Sequence, residues 1–146
     1  MSTLKVTNIQ SNGAGFNDVV SFHNSAGTEN GTLCRAWVNF DGTFETSPFT
    51  IGNGIRASFN VISVTDNGKG DYTITFTNPM PDANYSMAGS GQTIDFATTG
   101  RGYAVSPFSN TTSPYLTTSL RVQGCLIDSS SGTYADSAFF NVAIFR

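Results

Sequence analysis

The residues of this 146-residue chain that could carry acid–base, nucleophilic or metal chemistry are one histidine, two cysteines and ten carboxylates. His23 stands between Phe22 and Asn24 in a polar stretch, and no nucleophile elbow elsewhere offers it a serine to activate. Cys34 and Cys125 are far apart and have neither the paired spacing of a zinc site nor the density of a disulfide scaffold, so they read as thiols packed as small hydrophobes. The carboxylates Asp18, Glu29, Asp41, Glu45, Asp66, Asp71, Asp82, Asp95, Asp128 and Asp136 fall mostly in turns, where Asp commonly accepts from its own following backbone. A glycosidase would need two of them facing each other across a cleft, and nothing in the spacing selects a pair. Asp66-Asn67-Gly68-Lys69-Gly70-Asp71 gathers oxygens as a calcium loop does, but it lacks the closing Glu and reads as a hairpin loop. Gly89-Ser90-Gly91 and Gly100-Arg101-Gly102 lack the strand-to-helix setting that phosphate cradling requires and read as turns. No catalytic residue, metal site or cofactor is therefore expected. What remains is Tyr103, Phe108, Tyr115 and Tyr134, each amid Ser, Thr, Asn, Gly or Pro. Aromatics so placed can stack on a sugar ring, and the tyrosines can also hydrogen-bond it, which suits glycan binding without catalysis.

The elements that would position these residues are strands. Tyr72, Ile74 and Phe76 alternate with Thr73, Thr75 and Thr77, the pattern of a half-buried antiparallel strand. With Phe59 to Thr65 it brackets the glycine-bearing loop 66–71 as a hairpin. Leu33 to Phe40 reads as a strand closed by Asp41-Gly42, followed by a loop from Phe44 to Gly54. Further strands are expected near Thr3–Gln10, Tyr85–Ala88, Ile94–Phe96, Gly102–Val105, Thr118–Ile127 and Ala138–Phe145, separated by turn-rich segments at short spacing. The last of these is apolar at nearly every position, so both its faces must be covered, either by lying centrally in one domain or by meeting a neighbouring subunit. No window sustains a helical apolar period.

Composition narrows the class. Ser, Thr, Asn and Gly make up 64 residues, only 12% of the chain is charged, and the net charge is -3. The seven basic residues are scattered, which leaves no stripe to neutralise a phosphate backbone and argues against a nucleic-acid partner. No signal-like leader or membrane-length apolar run is present, so synthesis in a cytosol and no membrane insertion are expected. Twelve Phe are too many for a disordered chain. The expected fold is all-β, an antiparallel β-sandwich of jelly-roll-like kind over 33–146, preceded by an N-terminal attachment strand and connector over 1–32.

Four blocks in order, Arg35-Ala36-Trp37-Val38-Asn39-Phe40-Asp41-Gly42-Thr43, Ile55-Arg56-Ala57-Ser58-Phe59-Asn60-Val61, Thr65 to Ile74, and Met80-Pro81-Asp82-Ala83-Asn84-Tyr85, resemble a module of tail-fibre and virion structural proteins of marine and cyanobacterial phages. The opening Thr3-Leu4-Lys5-Val6 with Asn8-Ile9-Gln10 is similar to their leader. The segment Phe44 to Gly54 is longer than the usual linker, and Lys69 stands where a small residue is more common. The resemblance implies a non-catalytic virion component assembled in the host cytoplasm. It would be a short tail fibre or tail tip, a homotrimer docked on tail or baseplate proteins that contacts host-surface glycans. Trp37, Phe59, Phe139, Phe140, Val142 and Ile144 would then supply an interface core between copies. The alternatives are a purely structural capsid-decoration or baseplate protein and, ranked below both, a polysaccharide-degrading tailspike enzyme.

Overall fold

The computed structural model describes residues 21–23, 29–92, 102–127 and 132–146; the expected strands at Thr3–Gln10 and Ile94–Phe96 lie outside them. The described residues contain strands and no helix. The chain divides into two compact units, Met1–Leu33 and Cys34–Arg146. In the first, β1 (Ser21–His23) pairs antiparallel with β2 (Glu29–Thr32), with a bulge between Phe22 and His23.

The second unit is a two-sheet sandwich. One sheet runs in the order β4 (Thr50–Ile51), β5 (Gly54–Phe59), β3 (Cys34–Phe40), β12 (Phe140–Phe145), β8 (Ser86–Gly91). The other is built on β6 (Val61–Gly68), β7 (Asp71–Phe76) and β10 (Ser119–Ile127), with β9 (Gly102–Pro107) and β11 (Gly132–Tyr134) both paired to β10. All pairings are antiparallel except the short parallel match of β4 with β5.

Alternation decides which side of each strand is buried. Val64, Ile74 and Leu120 stand opposite one another across β6, β7 and β10, and all three are fully buried. From the facing sheet, Ala36, Val38 and Phe40 on β3 and Phe140, Val142 and Ile144 on β12 point inward to meet them. At the centre Phe40 stacks on Phe140 with ring centroids 4.7 Å apart, and Tyr72 meets both edge-on at 5.1 Å. Each such ring contributes about 1.5–3 kcal/mol by leaving water, and the geometry adds to that.

The terminal apolar strand is thereby resolved: β12 lies between β3 and β8 inside one sheet. This corrects the expectation for Phe140, Val142 and Ile144, which are at most 2% exposed and cannot meet another subunit. The outward residues of β12 are Asn141, Ala143 and Phe145.

Two local departures from the sequence reading have clear causes. Phe59 to Thr65 is not one strand, because Asn60 adopts a left-handed conformation (φ 55°) and turns the chain from β5 into β6. Asn tolerates that region because its short amide can bond nearby backbone. Its Nδ2 donates to the Arg35 carbonyl at 3.2 Å and the Asn78 carbonyl at 3.1 Å, and its Oδ1 accepts from the Asn78 N–H at 2.8 Å. The loop Phe44–Gly54, for its part, carries a core residue. Phe49 is fully buried and exchanges backbone bonds with Val64 on β6. Gly54 at φ 85° leaves the space that the Phe49 ring occupies.

The doublet Gly89-Ser90-Gly91 forms the end of β8 rather than a turn. Side chains at Gly89 and Gly91 would collide with Val105 and Tyr103 of β9, where the edges of the two sheets close on each other.

Candidate functional site

The four loop aromatics offered for glycan contact do not form one cluster. Tyr103 on β9 is half-buried, lies edge-on to Phe140, fills space left by Gly91 and Gly124, and donates its hydroxyl to the Ala135 carbonyl. Burial pushes its phenol well above the ordinary value. Phe108 is buried, with the Arg121 guanidinium 4.2 Å above its ring and Tyr134 stacked alongside at 6.1 Å. Tyr115 packs edge-on against Tyr85. Only Phe108 and Tyr134 of the four meet, and Tyr134 alone is broadly exposed. Three of these side chains therefore hold the sandwich together.

Five of the ten carboxylates are also in use. Asp41, Asp66 and Asp82 accept from backbone N–H groups two residues on. Asp82 is also paired with Arg146, which lowers its pKa, helped by the Asn84 N–H. Asp71 takes a bidentate bond from Arg121, at 2.9 Å from Nε and 2.6 Å from Nη2, which is how the hairpin loop spends its second aspartate. Asp136 accepts from the Gly70 N–H at 2.7 Å and lies 2.6 Å from the Tyr72 hydroxyl. Among the described residues no three His, Cys, Asp or Glu side chains come together as a metal site. Cys34 lies on β3 and Cys125 on β10; both are half-buried free thiols, and burial raises the pKa of Cys125.

The two outer faces of the sandwich differ in kind. On the β6–β7–β10 side, Thr65, Thr73 and Arg121 stand opposite one another, as do Ser63, Thr75 and Ser119, making a hydroxyl surface. On the other side, Phe59, Trp37, Ala143 and Ala88 form one row across β5, β3, β12 and β8, and Ala57, Asn39, Asn141 and Ser90 form the next. Trp37 is 39% exposed, and Phe59 and Phe139 are each 47% exposed. Phe139 carries the Arg56 guanidinium 4.5 Å above its ring, and Arg56 is itself paired with Asp41 at 3.0 Å.

Between Trp37 and Ser90 these rows enclose an open groove of about 410 Å³. Its floor is shallow because the outward side chains of Ala143 and Ala88 are small, and its walls are the Trp37 ring and a line of amides. Asn39 Nδ2 donates to Asn141 Oδ1, and Asn141 Nδ2 lies 3.5 Å from the Ser90 hydroxyl. Among the described residues no Asp, Glu, Lys or Arg lines it. Sequence reading picked out Trp37 only as part of an interface core between copies and missed Asn39, Asn141 and Ser90. Their association depends on register between strands about a hundred residues apart, for which a single sequence carries no signal.

No protein-family model and no curated protein matches the chain. Among solved structures it is similar to the tailspike of phage phiAB6, described in complex with three-repeated oligosaccharides of Acinetobacter baumannii surface polysaccharide. The identity is 16% and the TM-score 0.44 over 99% of this chain, which spans 30% of the tailspike's length. A likeness of that degree carries no inference about activity. By its own architecture the chain is an all-β protein whose larger unit is an antiparallel sandwich.

Proposed function

We propose that this chain is a non-catalytic phage tail component, a short fibre or tip subunit that docks as a homo-oligomer, a trimer by preference, and contacts host-surface glycans. The phage setting is supported by the four sequence blocks around Trp37, Phe59, Asp66–Tyr72 and Tyr85. The observation that carries the binding role is the groove on the outer face of the β4–β5–β3–β12–β8 sheet, where an exposed tryptophan and small apolar residues border a line of side-chain amides and no charged side chain lines it among the described residues. Such a surface offers a sugar both a stacking partner and hydrogen bonds. A non-catalytic role is supported by five of the ten carboxylates, Asp41, Asp66, Asp71, Asp82 and Asp136, which are committed to structural bonds.

The test is a glycan array probed with the purified oligomer, in parallel with an assay for reducing ends released from host envelope polysaccharide. Retention on host-type glycans with no release is the expected result. A blank array at high valency would overturn the receptor role, and released sugar would overturn the non-catalytic one. The purely structural reading is favoured by one feature of the same face: Trp37, Phe59 and Phe139 are each more than a third exposed, and burial against a neighbouring subunit would cover them. It predicts that a reconstruction of the intact particle shows this face covered.

A further inference from the structure

We propose that the groove between Trp37 and Ser90, on the outer face of β3, β12 and β8, is the saccharide site, and that it takes uncharged sugars. This rests on the glycan-contact reading and deepens it, moving the site from the loop aromatics to a sheet face.

The shape comes from side-chain size at fixed register. Trp37, Ala143 and Ala88 are direct cross-strand neighbours, so a large ring stands beside two methyl groups and the chain of Gly89. That sequence of large then small residues makes a step with a flat floor. At about 410 Å³ the groove falls toward the lower end of the ~300–1,000 Å³ typical of small-ligand sites, suited to a short saccharide segment.

The chemistry matches a pyranose on two sides. A sugar ring has a C–H face, which packs on the electron-rich face of an indole, and a rim of hydroxyls that both donate and accept. The amide line lies two residues along the strands from the Trp37 row, at Asn39 on β3 and Asn141 on β12. Within the line one N–H of each amide is used. The Asn39 carbonyl oxygen, the second N–H of each amide and the Ser90 hydroxyl proton have no partner among the described residues.

Charge selects the class of sugar. With no Lys or Arg among the described residues of the lining, a uronate or phosphorylated polysaccharide would give up hydration there without finding a counter-charge. A second copy of this chain is the poorer occupant. It would have to cover the Asn39–Asn141–Ser90 line in the middle of the contact and match each polar group it desolvated. Backbone ladders on both sides of β3 and β12 hold the groove residues in place before any ligand arrives, which lowers the cost of binding.

Trp37 is the only tryptophan, so its emission reports the groove directly. The experiment titrates the intact chain with neutral gluco-, galacto- and manno-oligosaccharides and with an oligo-uronate. Calorimetry and size-exclusion mass measurement follow on Trp37→Ala, Asn141→Ala and Ala143→Glu, with thermal unfolding to confirm that each variant folds. The expected result is a saturable Trp37 response to at least one neutral sugar and none to the uronate, with binding weakened about tenfold or more by Trp37→Ala and by Ala143→Glu. Asn141→Ala tests the amides should the charged variant fail to fold. If a glycan array shows binding that these variants leave intact, the site lies elsewhere and only the groove proposal falls. A blank array removes the glycan reading as well. Loss of the native oligomer in Ala143→Glu would reassign the groove to contact between copies.

Discussion

Asn60 shows how much one residue can decide. It holds a backbone conformation that most side chains avoid, and its amide bridges Arg35 on β3 to Asn78 beyond β7. Asn60→Ala is expected to cost about 2–4 kcal/mol, combining the left-handed penalty with the loss of bonds in a buried site. Asn60→Gly, which accepts the conformation but cannot make the bonds, should recover roughly 1 kcal/mol of that. Chemical denaturation of the two variants separates the contributions, and equal losses would show that the amide bonds dominate. The same residue marks a limit of sequence reading. Phe59 to Thr65 alternates well enough to pass for one strand, and an asparagine within it gives no sign of its φ.

At the scale of elements, the strands with a clean period of two were legible. β7 and β10 fall where the alternation of Tyr72, Ile74, Phe76 and of Leu120, Val122 places them, because one face of each is dry and the other wet. What was not legible depends on partners distant in sequence. Phe49 is in the core only because Val64 pairs with it across a loop, and β11 exists only because Cys125 to Ile127 offers it an edge. The apolar run at Phe139–Phe145 announced that both faces are covered without saying by what. β7 is also tied to the segment between β11 and β12 through Tyr72 and Asp136. The Tyr72 hydroxyl lies 2.6 Å from Asp136 Oδ1 and 2.9 Å from the Gly42 carbonyl, and its one proton serves one of them at a time. Tyr72→Phe keeps the ring in the aromatic cluster and removes only this link. It is expected to destabilise by about 1–3 kcal/mol in equilibrium unfolding, and no measurable change would mean that water replaces the hydroxyl.

For the whole molecule, the phenols make a pH signature. Tyr72, Tyr85 and Tyr103 all have their pKa raised above 10.0, in each case first by burial, with Asp136 adding to the shift of Tyr72. A raised folded pKa means that the unfolded chain releases these protons first. The stability they contribute is therefore complete below pH 10 and declines as pH rises beyond it. Spectrophotometric titration should show the tyrosinate signal of these residues appearing together with loss of near-ultraviolet circular dichroism. A smooth titration in the folded protein would show that the rings are accessible. The two unlike outer faces are a second property of the whole. The hydroxyl face carrying the Arg121–Asp71 pair suits water, while the Trp37 face offers apolar area and amides, so the unit is suited to meeting a partner in one orientation.

The placement of β12 between β3 and β8 also bears on how the molecule is made. Asn39 and Asn141, neighbours in the finished sheet, are 102 positions apart in sequence, and β12 is the strand that joins β3 to β8. Until that strand arrives, β3 and β8 each present a row of unsatisfied backbone groups and the Phe40 ring lacks its stacking partner. Closure over so long a loop is slow compared with hairpin formation. The nascent sheet thus passes through an interval of exposed edges in which self-association competes with folding. This topology is therefore expected to lower the yield of folded protein at high expression temperature more than its stability once folded.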